Sequence, residues 1–167
     1  MPEFAQVDYA KYFSIGCHGL QKRKYTHEPY WTHPQKVVEI LSQYYPSIEA
    51  YIVGWLHDVV EDTWATCFDI EEHFGIDIAK YVSQLTMPSK EFGNREKRIT
   101  SYNFQLAQSC ELVQTVKYAD LLHNTESITK YDHNFAKIYL AEKRKLLPMI
   151  NKGEQRLYER VCEQCGL

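Results

Sequence analysis

Nowhere in this chain do apolar and polar residues alternate over the length of a strand; apolar side chains return every three or four positions, the spacing that gives a helix one dry face. This feature argues against sheet folds and predicts an all-α chain, with helices over about 5–17, 34–45, 47–62, 67–74, 77–87, 94–108, 110–128, 133–150 and 153–165. Punctuation agrees with the period: Pro34 fits a first helical turn, Pro46-Ser47 opens the third helix with Ser47 as its cap, Thr66 caps the fourth and Gly75 stops it. Residues 88–93, Pro88-Ser89-Lys90-Glu91-Phe92-Gly93, are the most loop-like internal stretch and a candidate flap over a site. With 167 residues, 44% of them hydrophobic, the chain has material for one core, so residues 1–167 are expected to form a single domain.

Several function classes fall away on the same grounds. The longest apolar stretch, Tyr51 to Leu56, is far short of the ~20 residues of a spanning helix. Met1-Pro2-Glu3 lacks the basic-then-apolar order of a leader, so a soluble, cytoplasmic protein without membrane contact is expected. Cys17, Cys67, Cys110, Cys162 and Cys165 are an odd, scattered set that reads as reduced thiols. Cys162-x-x-Cys165 has zinc-compatible spacing but no second Cys or His pair near it, and a turn of the terminal helix is the plainer reading.

Net charge is −3, too small for a nucleic-acid binder, but its distribution is uneven. Between Lys36 and Lys80 there is no Lys or Arg, while Glu39, Glu49, Asp58, Glu61, Asp62, Asp69, Glu71, Glu72 and Asp77 all fall there. Basic residues gather at Lys22-Arg23-Lys24, from Lys90 to Arg98, and at Lys143-Arg144-Lys145. An acidic centre between basic flanks suits a cation at the centre and an anionic substrate against the flanks; solvated helix faces would give the same pattern.

The third helix narrows the choice. Ile48, Ile52, Trp55, Leu56 and Val59 form its core stripe, and beside them stand His57-Asp58 and Glu61-Asp62, which a continuous helix would stack at i+3 and i+4. Three carboxylates with no nearby cation in sequence repel one another, and a divalent cation would remove that cost. In the seventh helix Val113, Val116, Asp120 and Asn124 share a face, which puts a carboxylate on an apolar stripe. Its partner is either Lys117, one turn earlier, or a metal shared with His57-Asp58. His33, before Pro34, is expected in extended backbone at the mouth of the second helix.

Together these residues carry a resemblance. The order His33, His57-Asp58, Asp120 matches the H…HD…D ligand set of HD phosphohydrolases. Glu28-Pro29-Tyr30-Trp31-Thr32-His33-Pro34, Trp55-Leu56-His57-Asp58-Val59-Val60-Glu61-Asp62-Thr63 and Val116-Lys117-Tyr118-Ala119-Asp120-Leu121-Leu122-His123-Asn124 resemble the EPYxxHP, LLHDVVEDT and VKLADxxHN blocks of the RelA/SpoT hydrolase domain. The chain is similar, over about residues 10–150, to the small stand-alone alarmone hydrolases of that group, the metazoan SpoT homologue kind. The resemblance implies an all-helical HD-domain bundle holding one Mn²⁺ through His33, His57, Asp58 and Asp120. It also implies hydrolysis of the 3′-pyrophosphate of (p)ppGpp to GDP or GTP and pyrophosphate. Glu61 and Asp62 match the pair that positions or deprotonates the attacking water, and Asn124 and Lys117 match positions that face the nucleotide. Tyr139 resembles a tyrosine near the ribose and phosphates, although Phe135 four residues before it also makes it read as core.

Two stretches depart from the pattern. The word GQxRKxGxPY is here Gly19-Leu20-Gln21-Lys22-Arg23-Lys24-Tyr25-Thr26-His27-Glu28-Pro29-Tyr30, with one residue inserted and His27 where Gly is usual. Arg23 and Lys24 are its candidates for base stacking and phosphate contact. Asn94-Arg95-Glu96-Lys97-Arg98 resembles a word of compact members in which Arg95 and Arg98 would face phosphates; a solvated helix start reads equally well. His18, His27, His73, His123 and His133 are given no metal role. The expected partner is a small-molecule nucleotide, with oligomeric state left open. The alternatives are an HD nucleotidase or phosphatase acting on (p)ppApp, NADPH or deoxynucleoside monophosphates, and a catalytically silent alarmone-binding module. The intact ligand set and Glu-Asp pair weigh against the silent module.

Overall fold

The computed structural model describes residues 3–167, and the plain start read at Met1-Pro2 lies outside the described residues. The described residues form an all-helical bundle: α1 (Glu3–His18), α2 (Thr32–Tyr44), α3 (Ile48–Leu56), α4 (Val59–Asp62), α5 (Cys67–Phe74), α6 (Ile76–Leu85), α7 (Arg95–Gln108), α8 (Glu111–Tyr131), α9 (His133–Leu146) and α10 (Gln155–Cys165). Short 3-10 turns occupy Lys90–Phe92 and Leu147–Met149. None of these helices is long and apolar enough to cross a membrane.

The centre is α3. Ser47 caps it by accepting from the Ala50 N–H, and Ile52, Val53, Trp55 and Leu56 are all buried, with Val59 just beyond its end. Each such aliphatic side chain contributes about 1.5–3 kcal/mol by leaving water. α1 and α2 pack on α3, and the long α8 lies against α2, α9 and α10. Gly54 permits the closest approach, since a Cβ there would stand 3.0 Å from both Leu41 Cδ1 and Val38 Cγ2 of α2. α5 opens with a capping box, Thr66 and Asp69 each satisfying the other's backbone N–H, and ends at Gly75 with φ 87°. Cys162 and Cys165 sit on α10, Cys165 in the core, and all five cysteines are free thiols.

Three expectations are corrected. The helix expected over 47–62 is broken at His57-Asp58 into α3 and α4, because Asp58 leaves the helical well (φ −100°, ψ −7°) although Asp62 N still bonds Asp58 O. His33 lies inside α2 rather than in extended backbone; α2 starts at Thr32, so the N–H that Pro34 lacks belongs to the first turn, where it is not needed. The helix expected over 133–150 ends at Leu146 and tightens into the turn that holds Pro148. Residues 88–93 begin as a tethered segment, because Arg98 Nε donates to Pro88 O at 2.7 Å.

Candidate active site

The break after α3 builds the site. On a straight helix two consecutive side chains diverge by ~100°. The bridge-region backbone at Asp58 turns its carboxylate back, so that Oδ2 lies 3.2 Å from His57 Nε2. His57 Nδ1 donates to Gly54 O at 2.7 Å, which fixes that nitrogen as N–H and leaves Nε2 facing inward. From α2, His33 Nε2 comes within 3.2 Å of His57 Nε2 and 3.4 Å of Asp58 Oδ2. From α8, Asp120 Oδ1 stands 3.1 Å from His33 Nε2 and 3.7 Å from His57 Nε2.

All four expected ligands thus converge from three helices, three of them buried and Asp58 nearly so. One donor atom each from His33, His57 and Asp58 lies within 4.8 Å of the others, a cluster compatible with a divalent metal ion. The chemistry of the set fits such an ion. Two ring nitrogens 3.2 Å apart between two carboxylates need a shared positive charge, and two imidazoles with two carboxylates offer a borderline nitrogen-and-oxygen donor set.

The electrostatics agree. Burial disfavours a charged His57, yet the Asp58 carboxylate and the hydrogen bonds His57 donates to Asp120 and Asp58 outweigh it and hold the imidazole up at about 10. Burial likewise opposes the charges of Asp58 and Asp120. His57 beside Asp58, and Lys117 beside Asp120, overcome it and keep both carboxyls well below the usual range. Glu61 and Asp62 go the other way: burial first, with the Asp58 charge adding to it, raises both. Asp58 and Asp120 held low, with Glu61 and Asp62 raised a few residues after Asp58, is the division of labour expected of ligand and base.

Glu61 Oε2 accepts from the Met87 N–H at 2.9 Å, which ties α4 to the start of the 88–93 segment. Asp62 and Asp58 are joined through Tyr30, whose hydroxyl lies 2.7 Å from an oxygen of each. Burial and these two negative charges push the phenol far up, so it remains a proton donor throughout the physiological range.

The expected substrate residues divide into two groups. Arg23 Nη2 donates to Asn124 Oδ1 at 2.9 Å and Asn124 Nδ2 to Asp120 Oδ1 at 2.6 Å, so both border the cluster. Lys117 Nζ donates to Asp120 Oδ2 at 2.7 Å, and Tyr139 is buried with its hydroxyl 3.4 Å from Thr125 Oγ1. Lys24 reaches outward to Asp132 at 3.4 Å. Arg95 is held by both oxygens of Glu142, at 3.1 and 3.0 Å, and Arg98 by Pro88 O and Met87 Sδ, so neither is brought to the cluster. His27, the residue in the glycine position of the loop, has φ 59°; it adopts the left-handed conformation itself, and the Lys22–Pro29 bridge closes the loop around it.

Sequence reasoning passed over three residues. His123 Nδ1 lies 2.7 Å from His33 Nδ1 with the rings stacked at 5.0 Å, and burial together with His33 and Arg23 pushes it down to about 4. It is therefore a neutral acceptor for the His33 N–H when His33 Nε2 is a ligand. Tyr30 was visible only as a letter of a word. His18 stacks on Tyr30 with ring centroids 4.4 Å apart. His123 too was visible only as a letter of a word, and His18 only as the neighbour of one.

Comparison with known proteins gives a consistent picture. Residues 10–141 match the HD domain family. The GTP pyrophosphokinase rsh of Brucella ovis is 34% identical over 128 residues, 74% of this chain and 17% of that protein. The guanosine-3′,5′-bis(diphosphate) 3′-pyrophosphohydrolase of Aquifex aeolicus is 30% identical over 169 residues, 99% of this chain and 22% of that one. The chain thus spans about a fifth of the length of these curated relatives. The solved structure of a metazoan ortholog of SpoT, described as hydrolysing ppGpp, aligns over 98% of this chain and 97% of its own with TM-score 0.84; at 24% identity the likeness is one of fold.

Proposed function

This chain belongs to the HD-domain family, and on that premise we propose that it is a Mn²⁺-dependent 3′-pyrophosphohydrolase of (p)ppGpp, releasing pyrophosphate and GDP or GTP. One observation carries the reading: the cluster His33, His57, Asp58 and Asp120 stands beside two carboxyls of raised pKa and a wall made by Arg23, Asn124 and Lys117. The activity for which the Aquifex relative is named supports the substrate and the bond cleaved.

His33, His57, Asp58 and Asp120 would hold the ion, which when bound supplies charge to a phosphate oxygen and acidifies water. The rest of the chemistry falls to side chains of this chain. Glu61, anchored through Oε2, keeps Oε1 for an attacking water, and its raised pKa suits it to take the proton. Asp62, steadied by Tyr30, holds the same water on its other side. Lys117 stays protonated, since burial opposes its charge but Asp120 more than offsets it, and it places that charge where phosphate negative charge collects. Arg23 lies with its guanidinium 5.6 Å from the Tyr30 ring centroid and already fixed to Asn124, a preorganised plane for a base or a phosphate.

The loop that departs from the family word holds His27 in the left-handed conformation that a glycine adopts readily, which favours guanine-nucleotide recognition over a nucleotidase with another substrate. Incubation with Mn²⁺ and a panel of (p)ppGpp, (p)ppApp, NADPH and deoxynucleoside monophosphates, with products separated by anion exchange, decides between them. Pyrophosphate and GDP from ppGpp, abolished by EDTA and restored by Mn²⁺, is the expected result; turnover of another substrate with ppGpp untouched would overturn it.

A further inference from the structure

One face of α7 is given over to the carbonyl groups at the exit of α6. Arg98, Tyr102 and Gln105 are spaced i, i+4, i+7, which puts them on the same side of the helix. Gln105 Nε2 donates to Ser83 O at 3.1 Å and to Gln84 O at 3.0 Å, and the Tyr102 hydroxyl donates to Leu85 O. These are carbonyls that the last turn of α6, which ends at Leu85, leaves without helical partners. Arg98 Nε donates to Pro88 O at 2.7 Å, beyond the end of that helix, where no carbonyl is orphaned by its termination.

The residue before Pro88 is Met87, whose N–H donates to Glu61 Oε2 at 2.9 Å, the one hydrogen bond of that carboxylate among the described residues. Arg98 holds Met87 as well as Pro88, with Nη2 3.6 Å from Met87 Sδ. The proline disfavours helical backbone at Met87, so the stretch between α6 and the 3-10 turn at Lys90–Phe92 depends on side-chain contacts for its place. Arg98 is well seated to supply them. It is half-buried in the first turns of α7, its N–H bonds Asn94 O at 3.1 Å, and Asn94 Oδ1 caps the helix through the Lys97 N–H at 2.9 Å. The path from Arg98 through the Met87-Pro88 peptide to Glu61 is therefore continuous, each step a hydrogen bond or a covalent link.

We propose that Arg98 is a positioning residue for Glu61: by holding the Met87-Pro88 peptide it keeps the Met87 N–H on Oε2 and so leaves Oε1 set for the attacking water. The inference rests on the reading of Glu61 as the base. In this role the guanidinium meets a carbonyl oxygen and not a phosphate, which departs from the phosphate-facing part its basic word suggests in sequence. Its removal then costs turnover rather than substrate affinity.

The test compares the full chain with Arg98→Met, Arg98→Gln and Arg98→Lys, and takes Gln105→Met as the structural control. In the metal-free protein, selective ¹⁵N-methionine labelling resolves the Met87 amide, assigned with Met87→Leu; both uncharged Arg98 variants should shift it and speed its hydrogen exchange. With Mn²⁺ and (p)ppGpp, their kcat should fall about 10- to 100-fold, the range for a reacting group misplaced by about 1 Å, while KM and Mn²⁺ affinity stay within about threefold. Arg98→Lys, which keeps one donor, should recover most of the loss. Gln105→Met should lower the melting temperature with kcat within about threefold of wild type. In a Glu61→Gln background Arg98→Met should cost less than about threefold more, because an absent base cannot be misplaced. Full additivity in that background, a loss in KM rather than kcat, an equal kcat loss in Gln105→Met, or an unmoved Met87 amide in both uncharged variants would overturn the assignment. If (p)ppGpp is not hydrolysed while the Met87 amide still responds to Arg98→Met and to Glu61→Gln, the substrate reading falls and the tether on Glu61 stands.

Discussion

Metal binding at this site should be a proton exchange, and its size follows from His57. Without an ion, the imidazole lies between Asp58 Oδ2 at 3.2 Å and Asp120 Oδ1 at 3.7 Å, and it titrates at about 10. A ligand nitrogen must be unprotonated, so at neutral pH the ion has to displace a proton held about three pH units tightly, on the order of 4 kcal/mol. Apparent Mn²⁺ affinity should therefore rise about tenfold per pH unit from pH 6.5 to 8.5, about a hundredfold over that window. Calorimetry in two buffers of different ionisation enthalpy should count about one proton released per ion. The sign for folding is the reverse. A folded-state pKa raised above about 6.5 adds stability that is complete below that pH and is lost as pH climbs toward 10, so the metal-free protein should weaken over this range while the loaded protein resists. A pH-independent Mn²⁺ affinity with no proton release would show that His57 is already neutral, and the electrostatic account of the cluster would be wrong.

Three further outcomes follow. Glu61→Gln with Asp62→Asn should retain Mn²⁺, measured by electron paramagnetic resonance, while kcat falls by about 10² or more, as for loss of general-base help; normal turnover would remove the pair from the mechanism. Gly153→Ala places a Cβ 2.3 Å from Tyr118 Cε2 and 3.0 Å from the Thr115 backbone nitrogen, and overpacking against a buried ring should cost about 1–3 kcal/mol or more, a drop of several degrees in melting temperature. His27→Gly relieves a left-handed backbone at φ 59° and should raise stability by up to about 1 kcal/mol in denaturant titration, with KM for the nucleotide little changed if the loop shape alone matters.

What the sequence showed and what it concealed divide along a physical line. Ser47, Thr66 and Gly75 act within three or four residues of themselves, so the helix ends they set were readable from local chemistry. The break at His57-Asp58 was not, because the apolar stripe runs from Ile52 through Leu56 to Val59 without losing its period; the carboxylate and imidazole that profit from the break meet partners from α2 and α8. Tyr30 reaches Asp58 and Asp62 across 28 and 32 residues, and His123 meets His33 across 90. No periodicity encodes such pairs. Arg95 and Arg98 show the converse: a basic word is legible, but Glu142 and the Pro88 carbonyl that occupy its charges are not.

Asp120 illustrates why reading a residue by its best single partner misleads. From sequence its charge had two claimants, Lys117 on its own helix and a metal shared with His57-Asp58. A carboxylate has two oxygens, and here Oδ2 accepts from Lys117 while Oδ1 faces His33, His57 and Asn124. The structural partner and the candidate ligand role therefore coexist, and the first serves the second: the ammonium keeps Asp120 ionised at the bottom of the site whether or not a cation is present. By the same contact Lys117 is itself held charged. The i, i+3 pair is thus a fixed dipole with its negative end on the cluster, and under the proposed reaction its positive end supplies the charge that phosphoryl transfer requires.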